Sequence, residues 1–312
     1  MRPVRATRPS VPPRPPLPPR YAPRVVARIQ LGPGERLVRA SLVIVAALAF
    51  GFLANILVLS QVQHLVAQQQ LGDEFRIELA TGTAPVSEGD VDGVLLGDGV
   101  PVAYLTIPTL GVHEFVVEGT SSGTLKAGPG HRRDTVLPGQ PGVSIIMGRA
   151  AAFGGPFARI QELRPGQSFS VTTGQGRMAY EVLGVRYQGD PAPASPIKGE
   201  SRLVLESARG VPYSPTGVVR VDAQLVSPVF PAGLRQTTNV SLPPQDRELA
   251  SDTTTVWALV FSLQLLLAIE VGAVWSFRRI GAQKTWVVFI PIALLGGLLV
   301  ADQASRLLPN LL

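Results

Sequence analysis

Seven short runs decide the fold: VAYLTI (102–107), EFVVEG (114–119), VSIIM (143–147), SFSVTT (168–173), MAYEVLGVRY (178–187), RLVLES (202–207) and VVRVDAQLV (218–226). Each is rich in β-branched or aromatic residues, and turns containing Gly or Pro separate them. Seven or eight short strands at this spacing predict an all-β unit, either a closed barrel or a sandwich. The stretch 101–228 is ample for one hydrophobic core.

Outward from this unit the chain turns apolar. ASLVIVAALAFGFLANILVLS (40–60), VWALVFSLQLLLAIEVGAVWSF (256–277) and WVVFIPIALLGGLLVA (286–301) are each long enough, or nearly so, to cross a hydrocarbon core of about 30 Å as a helix. The first lies too far into the chain and is too long for a cleaved signal peptide, so it reads as an uncleaved anchor. The resulting plan is a disordered Pro/Arg-rich cytoplasmic tail (1–36), a transmembrane helix (37–61), a linker (62–100), the β-unit (101–228) and a second linker (229–254). A transmembrane helix (255–277), a cytoplasmic loop (278–285), a further transmembrane helix (286–305) and an extracellular C-terminal segment (306–312) follow. Arg278, Arg279 and Lys284 place the loop inside, as the Arg-rich tail does the N-terminus, so the β-unit is expected outside a plasma membrane crossed three times. Trp257, Trp275 and Trp286 near helix ends suit the interfaces.

Composition narrows the chemistry. The net charge of +6 comes from Arg concentrated ahead of the first apolar run, so it speaks for anionic headgroups and against nucleic acid. The chain has no cysteine, which excludes disulfides, thiolate metal sites and a cysteine nucleophile. Only His64, His113 and His131 could serve an imidazole-dependent mechanism, and three scattered histidines do not make a metal site.

Several blocks occur in a meaningful order: AYLTIPTLGV from Ala103, VVEGTSSGTLKAGPGHRRDTVLPGQPG from Val116, SIIMGRAAAFGGPF from Ser144 and RLVLES from Arg202. Together Val102–Val226 resembles the sortase family, membrane-anchored cysteine transpeptidases built on an eight-stranded β-barrel. The three-helix plan resembles the actinobacterial, class E-like branch. The resemblance implies an exported sortase-like β-barrel held by one N-terminal and two C-terminal transmembrane helices, with no cofactor and no metal. It also shows what has been lost. The position where the family carries its histidine, in the block Ile146-Met147-Gly148-Arg149-Ala150, holds Arg149. The position of the cysteine, after Leu203-Val204-Leu205-Glu206-Ser207, holds Ala208. The family arginine falls at or near Val218, and Arg220, two residues on, projects to the same face. A methyl group cannot form a thioacyl bond, and an always-protonated guanidinium is a poor proton shuttle.

Single residues carry competing readings. Ser207 matches the family's threonine and faces away from the cysteine position, which argues against a serine nucleophile. His131 is read as structural, His113 as a solvated strand residue and His64 as juxtamembrane. Arg149 either pairs with Glu206 on the neighbouring strand or binds an anion in the old cleft; Arg149, Glu206 and Arg220 are the candidate binding residues. Glu270, inside a membrane helix, should face protein, either Gln264 or a partner, and Pro291 with Gly296-Gly297 permits a kink and close helix packing. Three functions fit: a non-catalytic binding or assembly module for a sorting-signal-like peptide, a surface protein or an active sortase; an active peptidase or transpeptidase; or a structural envelope scaffold.

Overall fold

The computed structural model describes residues 32–90 and 92–312, so most of the stretch read as a disordered tail lies outside the described residues. Val45–Leu312 forms one compact unit. Helix α1 spans Pro33–Ala54, a π-helical turn spans Asn55–Leu59, and α2 spans Ser60–Thr81. Eight strands follow: β1 (Pro101–Ile107), β2 (Val112–Glu118), β3 (Gly130–His131), β4 (Gly142–Met147), β5 (Ser168–Thr173), β6 (Gly176–Tyr187), β7 (Ser201–Val211) and β8 (Ser214–Leu225). Helices α3 (Val256–Ile280) and α4 (Ala282–Arg306) complete the chain.

The strands close into a barrel in the order β1-β2-β3-β4-β7-β8-β6-β5. All neighbours are antiparallel except β2 with β3 and β4 with β7. The period of two is legible in what each strand buries. Ile146 on β4, Leu203 and Leu205 on β7, and Val219, Val221 and Ala223 on β8 point into the barrel core with Leu105, Ile107 and Tyr180. Burying each large aliphatic side chain stabilises the barrel by about 1.5–3 kcal/mol. The alternate residues of the same three strands, Ile145, Met147, Val204, Ala208 and Val218, form a separate apolar cluster on the other face. That outer cluster is where the candidate site lies.

Three helical stretches are long and apolar enough to cross a membrane: Leu42–Thr81, Thr253–Ile280 and Ala282–Arg306. The sequence reading differs from the structure in several places. The expected linker 62–100 begins as helix, because α2 runs on to Thr81 and docks on β2. Gln68 closes this contact, its amide oxygen accepting from Phe115 N at 2.7 Å and its nitrogen donating to Phe115 O at 3.1 Å and Ala127 O at 2.8 Å. His64 is buried on the same helix and meets the Glu114 carboxylate at 3.1 Å. Phe75 packs edge-on against Phe115, with centroids 5.9 Å apart. A run of glutamines reads as polar linker, yet one glutamine satisfies three main-chain groups and turns the helix into a buttress.

The expected loop 278–285 shrinks to Gly281, whose φ of +87° lets α3 turn directly into α4. Close packing between the two helices is as expected: a Cβ at Gly296 would lie 3.0 Å from Ile269. Gln264 and Glu270 do not bond one another; Gln264 is exposed, and Glu270 is half-buried without a polar partner among the described residues. Finally, within the segment 306–312, read as an extracellular C-terminal segment, residues 306–309 are half-buried and Asn310, Leu311 and Leu312 are buried.

Candidate functional site: a filled cleft on the outer face of β4, β7 and β8

The cleft floor is set by strand register. Ala208 lies opposite Val218 across β7 and β8, and Glu206 lies opposite both Met147 on β4 and Arg220 on β8. Ala208 and Val218 therefore form an apolar pair, and Leu311 packs on them together with Leu125, Ile145, Met147 and Val204. Leu311 is fully buried. The place where the resemblance expects a sulfur and a guanidinium is an apolar pocket holding a leucine.

Arg149 follows β4 and is the largest fully buried side chain of the described residues. The ion pair with Glu206 expected from the sequence does not form. The guanidinium instead donates elsewhere: Nε to Leu125 O at 3.2 Å, Nη1 to a main-chain oxygen of Leu312 at 3.0 Å, and Nη2 to Ser122 O at 2.7 Å and Ser122 Oγ at 3.0 Å. It also lies over the Phe153 ring, 5.0 Å from the centroid, and Lys126 lies over the same ring at 5.4 Å. Burial pushes the Arg149 pKa down to about 9, still above neutral pH, so the charge persists. Phe153 holds φ = +52° without being glycine, a strained conformation that the packing around its buried ring sustains. The planar fork spans two separate segments at once, the turn carrying Ser122 and Leu125 and the stretch at Leu312, a geometry that an ammonium does not offer.

Glu206 pairs with Arg220 Nε at 2.8 Å, and Arg220 Nη2 bonds Glu248, so one guanidinium bridges β7 to the segment that precedes α3. Burial, followed by the neighbouring Glu248 carboxylate, raises the Glu206 pKa to about 7, against the pull of Arg220. The expected linker 229–254 thus supplies part of the site, and Leu249 packs on the outer cluster beside Leu311.

The chain after α4 threads between this segment and the barrel. Asn310 is buried; its main-chain N donates to Ala250 O at 2.9 Å, and its Nδ2 donates to Thr120 O and Arg247 O, both at 2.8 Å. Ala150 N donates to Leu311 O at 2.9 Å. Lys126 anchors the end of α4 by donating to Asp302 Oδ1 at 2.8 Å, and burial pushes its pKa down to about 8 despite that partner. Beside Leu312 lies a cavity of about 370 Å³ lined by Ala150, Gln161, Ala208, Arg209, Tyr213 and Pro215, among others.

The remaining candidates fall outside the chemistry. Ser207 is fully buried on the opposite face and donates to Gly148 O at 2.8 Å. His131 is buried between Glu118, 2.8 Å from Nδ1, and Val136 O, 2.9 Å from Nε2. Burial alone would lower its pKa, but the Glu118 carboxylate leaves it raised. His113 is an exposed strand residue. Sequence reasoning missed Ser122, Glu248, Asn310 and Leu311; Ser122 lies in a quoted block without being singled out, the other three lie in none, and only the fold brings them to the cleft.

No curated protein matches the chain. Among solved structures it is similar to a Clostridium perfringens sortase D5 transpeptidase, at 18% identity over 53% of this chain and 99% of that one, with a TM-score of 0.41. It is also similar to sortase E1 from Streptomyces coelicolor with a tripeptide in the active site, at 21% identity over 42% and 91% of the two chains, with a TM-score of 0.37. A third is Clostridium perfringens sortase C with the C-terminal cell wall sorting motif, at 19% identity over 52% and 88%, with a TM-score of 0.38. Residues 105–209, which lie within this closed eight-stranded barrel, match the family described as Sortase domain, in a chain without cysteine.

Proposed function

We propose that this protein is a non-catalytic, membrane-anchored sortase-like module of the cell envelope that binds or assembles surface proteins or an active sortase. The observation that carries the reading is the state of the cleft: Leu311 covers Ala208 and Val218, and Arg149 is committed to main-chain oxygens. Sortase chemistry needs a thiolate to take the acyl group and an imidazole to move a proton. Here the positions expected to supply them carry a methyl group and a guanidinium fixed by four hydrogen bonds. Arg149, Ala208 and Val218 stand in this reading for the family's histidine, cysteine and arginine; Arg220, bridging Glu206 and Glu248, is a structural anchor. With the Arg-rich N-terminus and the turn at Gly281 on the cytoplasmic side, the barrel faces outward on the plasma membrane.

The active-enzyme alternative would require Ser207 as nucleophile, and its hydroxyl is buried and already donated to Gly148 O. Purified full-length protein, incubated with a fluorescent sorting-signal peptide and an amine acceptor, should give neither hydrolysis nor ligation above background. Product that forms with the native chain and disappears on Ser207→Ala would overturn the proposal.

A further inference from the structure

The outer cleft is constructed as a receptor for an extended peptide. Every residue from Asn310 to Leu312 is read by a group of the barrel or its adjoining segments. The Asn310 amide bridges carbonyls of two different segments, Thr120 and Arg247. Leu311 enters a pocket formed by six apolar side chains from β4, β7, β8 and the turn at Leu125. Main-chain oxygens of Leu311 and Leu312 meet Ala150 N and Arg149. This is how a groove reads a bound chain, with polar groups fixing register and one deep apolar pocket anchoring a side chain. The occupant makes no strand pairing with the barrel, and it follows α4 by only a few residues.

Two features mark the occupant as exchangeable. Asn310 Oδ1 is buried without a donor, so the present occupant leaves the site short of its full complement of hydrogen bonds. The cavity of about 370 Å³ beside Leu312 extends the groove past Ala208 toward Tyr213, leaving room that residues 309–312 do not use.

We propose that the cleft is a peptide-binding site for an extended segment bearing an amide side chain followed by two leucines, and that Pro309–Leu312 is its resident, exchangeable occupant. The inference deepens the binding-module reading and rests on it for its use. Because the segment is tethered, a competing peptide faces an effective concentration on the order of millimolar in cis, so the cleft stays shut until α4 shifts or a better ligand arrives. A barrel rooted in this way reports the position of the α3–α4 hairpin through the state of its cleft.

The test uses the full chain in lipid nanodiscs, a version ending at Leu308, and a fluorescent peptide with the sequence of residues 306–312. The shortened chain should bind the peptide about tenfold or more tightly than the intact chain, because the apparent affinity falls with the fraction of open cleft. Replacing Asn with Ala in the peptide, or Arg149→Met in the shortened chain, should weaken that binding. A shortened chain that retains a cooperative melt yet fails to bind overturns the proposal, as does an intact chain that binds equally tightly. Should the shortened chain fail to fold, Leu311→Cys in the intact chain decides instead, since no other cysteine is present. Its maleimide labelling should be slow and should accelerate when excess peptide is added; unchanged labelling overturns the exchange. The probe is the chain's own sequence, so these outcomes are independent of whether any envelope protein is a partner, and a failure to find one leaves them standing.

Discussion

Arg149→Met tests whether the buried guanidinium holds the cleft together. The substitution preserves much of the side-chain volume but removes every donor, leaving Leu125 O, Ser122 O and an oxygen of Leu312 without the partners they have now. Each stranded buried acceptor costs about 1–3 kcal/mol, and losing the cation over Phe153 costs about 1 kcal/mol more. Relaxation and entry of water recover part of this, and removal of the guanidinium's own desolvation offsets another part, giving a net loss of about 3 kcal/mol. For a folded unit of this size, roughly 2–4 °C per kcal/mol converts that to a drop of roughly 10 °C in the melting temperature. Arg149→Lys should fall between, because an ammonium does not reproduce the fork that spans the Ser122–Leu125 turn and Leu312. The assay is thermal unfolding of the solubilised full chain followed by near-UV circular dichroism. An Arg149→Met protein that melts within a degree or two of the native one would refute the reasoning, since it would mean the hydrogen bonds contribute nothing beyond their desolvation cost.

Glu206 makes stability depend on pH with a definite sign. Its folded pKa, raised to about 7 from 4.5, means the folded state holds the proton more tightly, so its contribution is complete below about pH 4.5 and is lost as pH rises through about 7. Asp246, raised by burial to about 6, acts in the same direction. Glu206→Gln should flatten the fall in melting temperature between pH 5 and pH 8, and an unchanged slope would remove Glu206 as its source. Gly128→Ala would set a Cβ 2.3 Å from Gln68 Nε2 and 2.7 Å from Phe115 O, so it should loosen α2 at a cost of about 1–3 kcal/mol. Faster proteolysis within residues 60–81 would register it, and unaltered protection would argue that the contact is not needed. For topology, an impermeant thiol reagent should label a cysteine placed at the exposed Ser251 in intact cells but not one placed at Lys284; labelling at Lys284 would reverse the orientation.

Much of the barrel was legible because its strands alternate, and alternation survives in the sequence whatever the cleft does. The match at 105–209 falls on the same blocks that carried the resemblance. What the sequence could not convey was which contacts form at long range. Arg149 lies two residues past the end of β4 and Glu206 lies on the adjacent β7, and a pair looked natural from the sequence. The pleat sends Glu206 toward Arg220, while Arg149, beyond the end of β4, turns to the loop carrying Ser122 and Leu125. Gln68 was invisible for a similar reason, since a glutamine in a polar run carries no mark of the two carbonyls and one amide it will meet. The segment 306–312 read only as an extracellular end, because nothing local tells a buried Leu-Leu pair from an exposed one. Its fate depends on Ala208 and Val218, about a hundred residues earlier in the sequence, being small and apolar.

That dependence runs in both directions. A cleft that performs acyl transfer must keep its nucleophile and its charged groups open to substrate, and a leucine seated there would strip them of water at a cost of several kcal/mol per ion. With Ala208 opposite Val218 the cost vanishes, and the pocket instead gains the burial of Leu311. Val218→Arg would reverse the balance. It would place a second guanidinium among the apolar side chains beneath Leu311, where it would lose its water. The apolar pair, the buried Arg149 and the seated leucine are therefore one mutually dependent arrangement: in the proposed reading, the residues that stand in place of the family's catalytic groups are the same ones that let the chain occupy its own cleft.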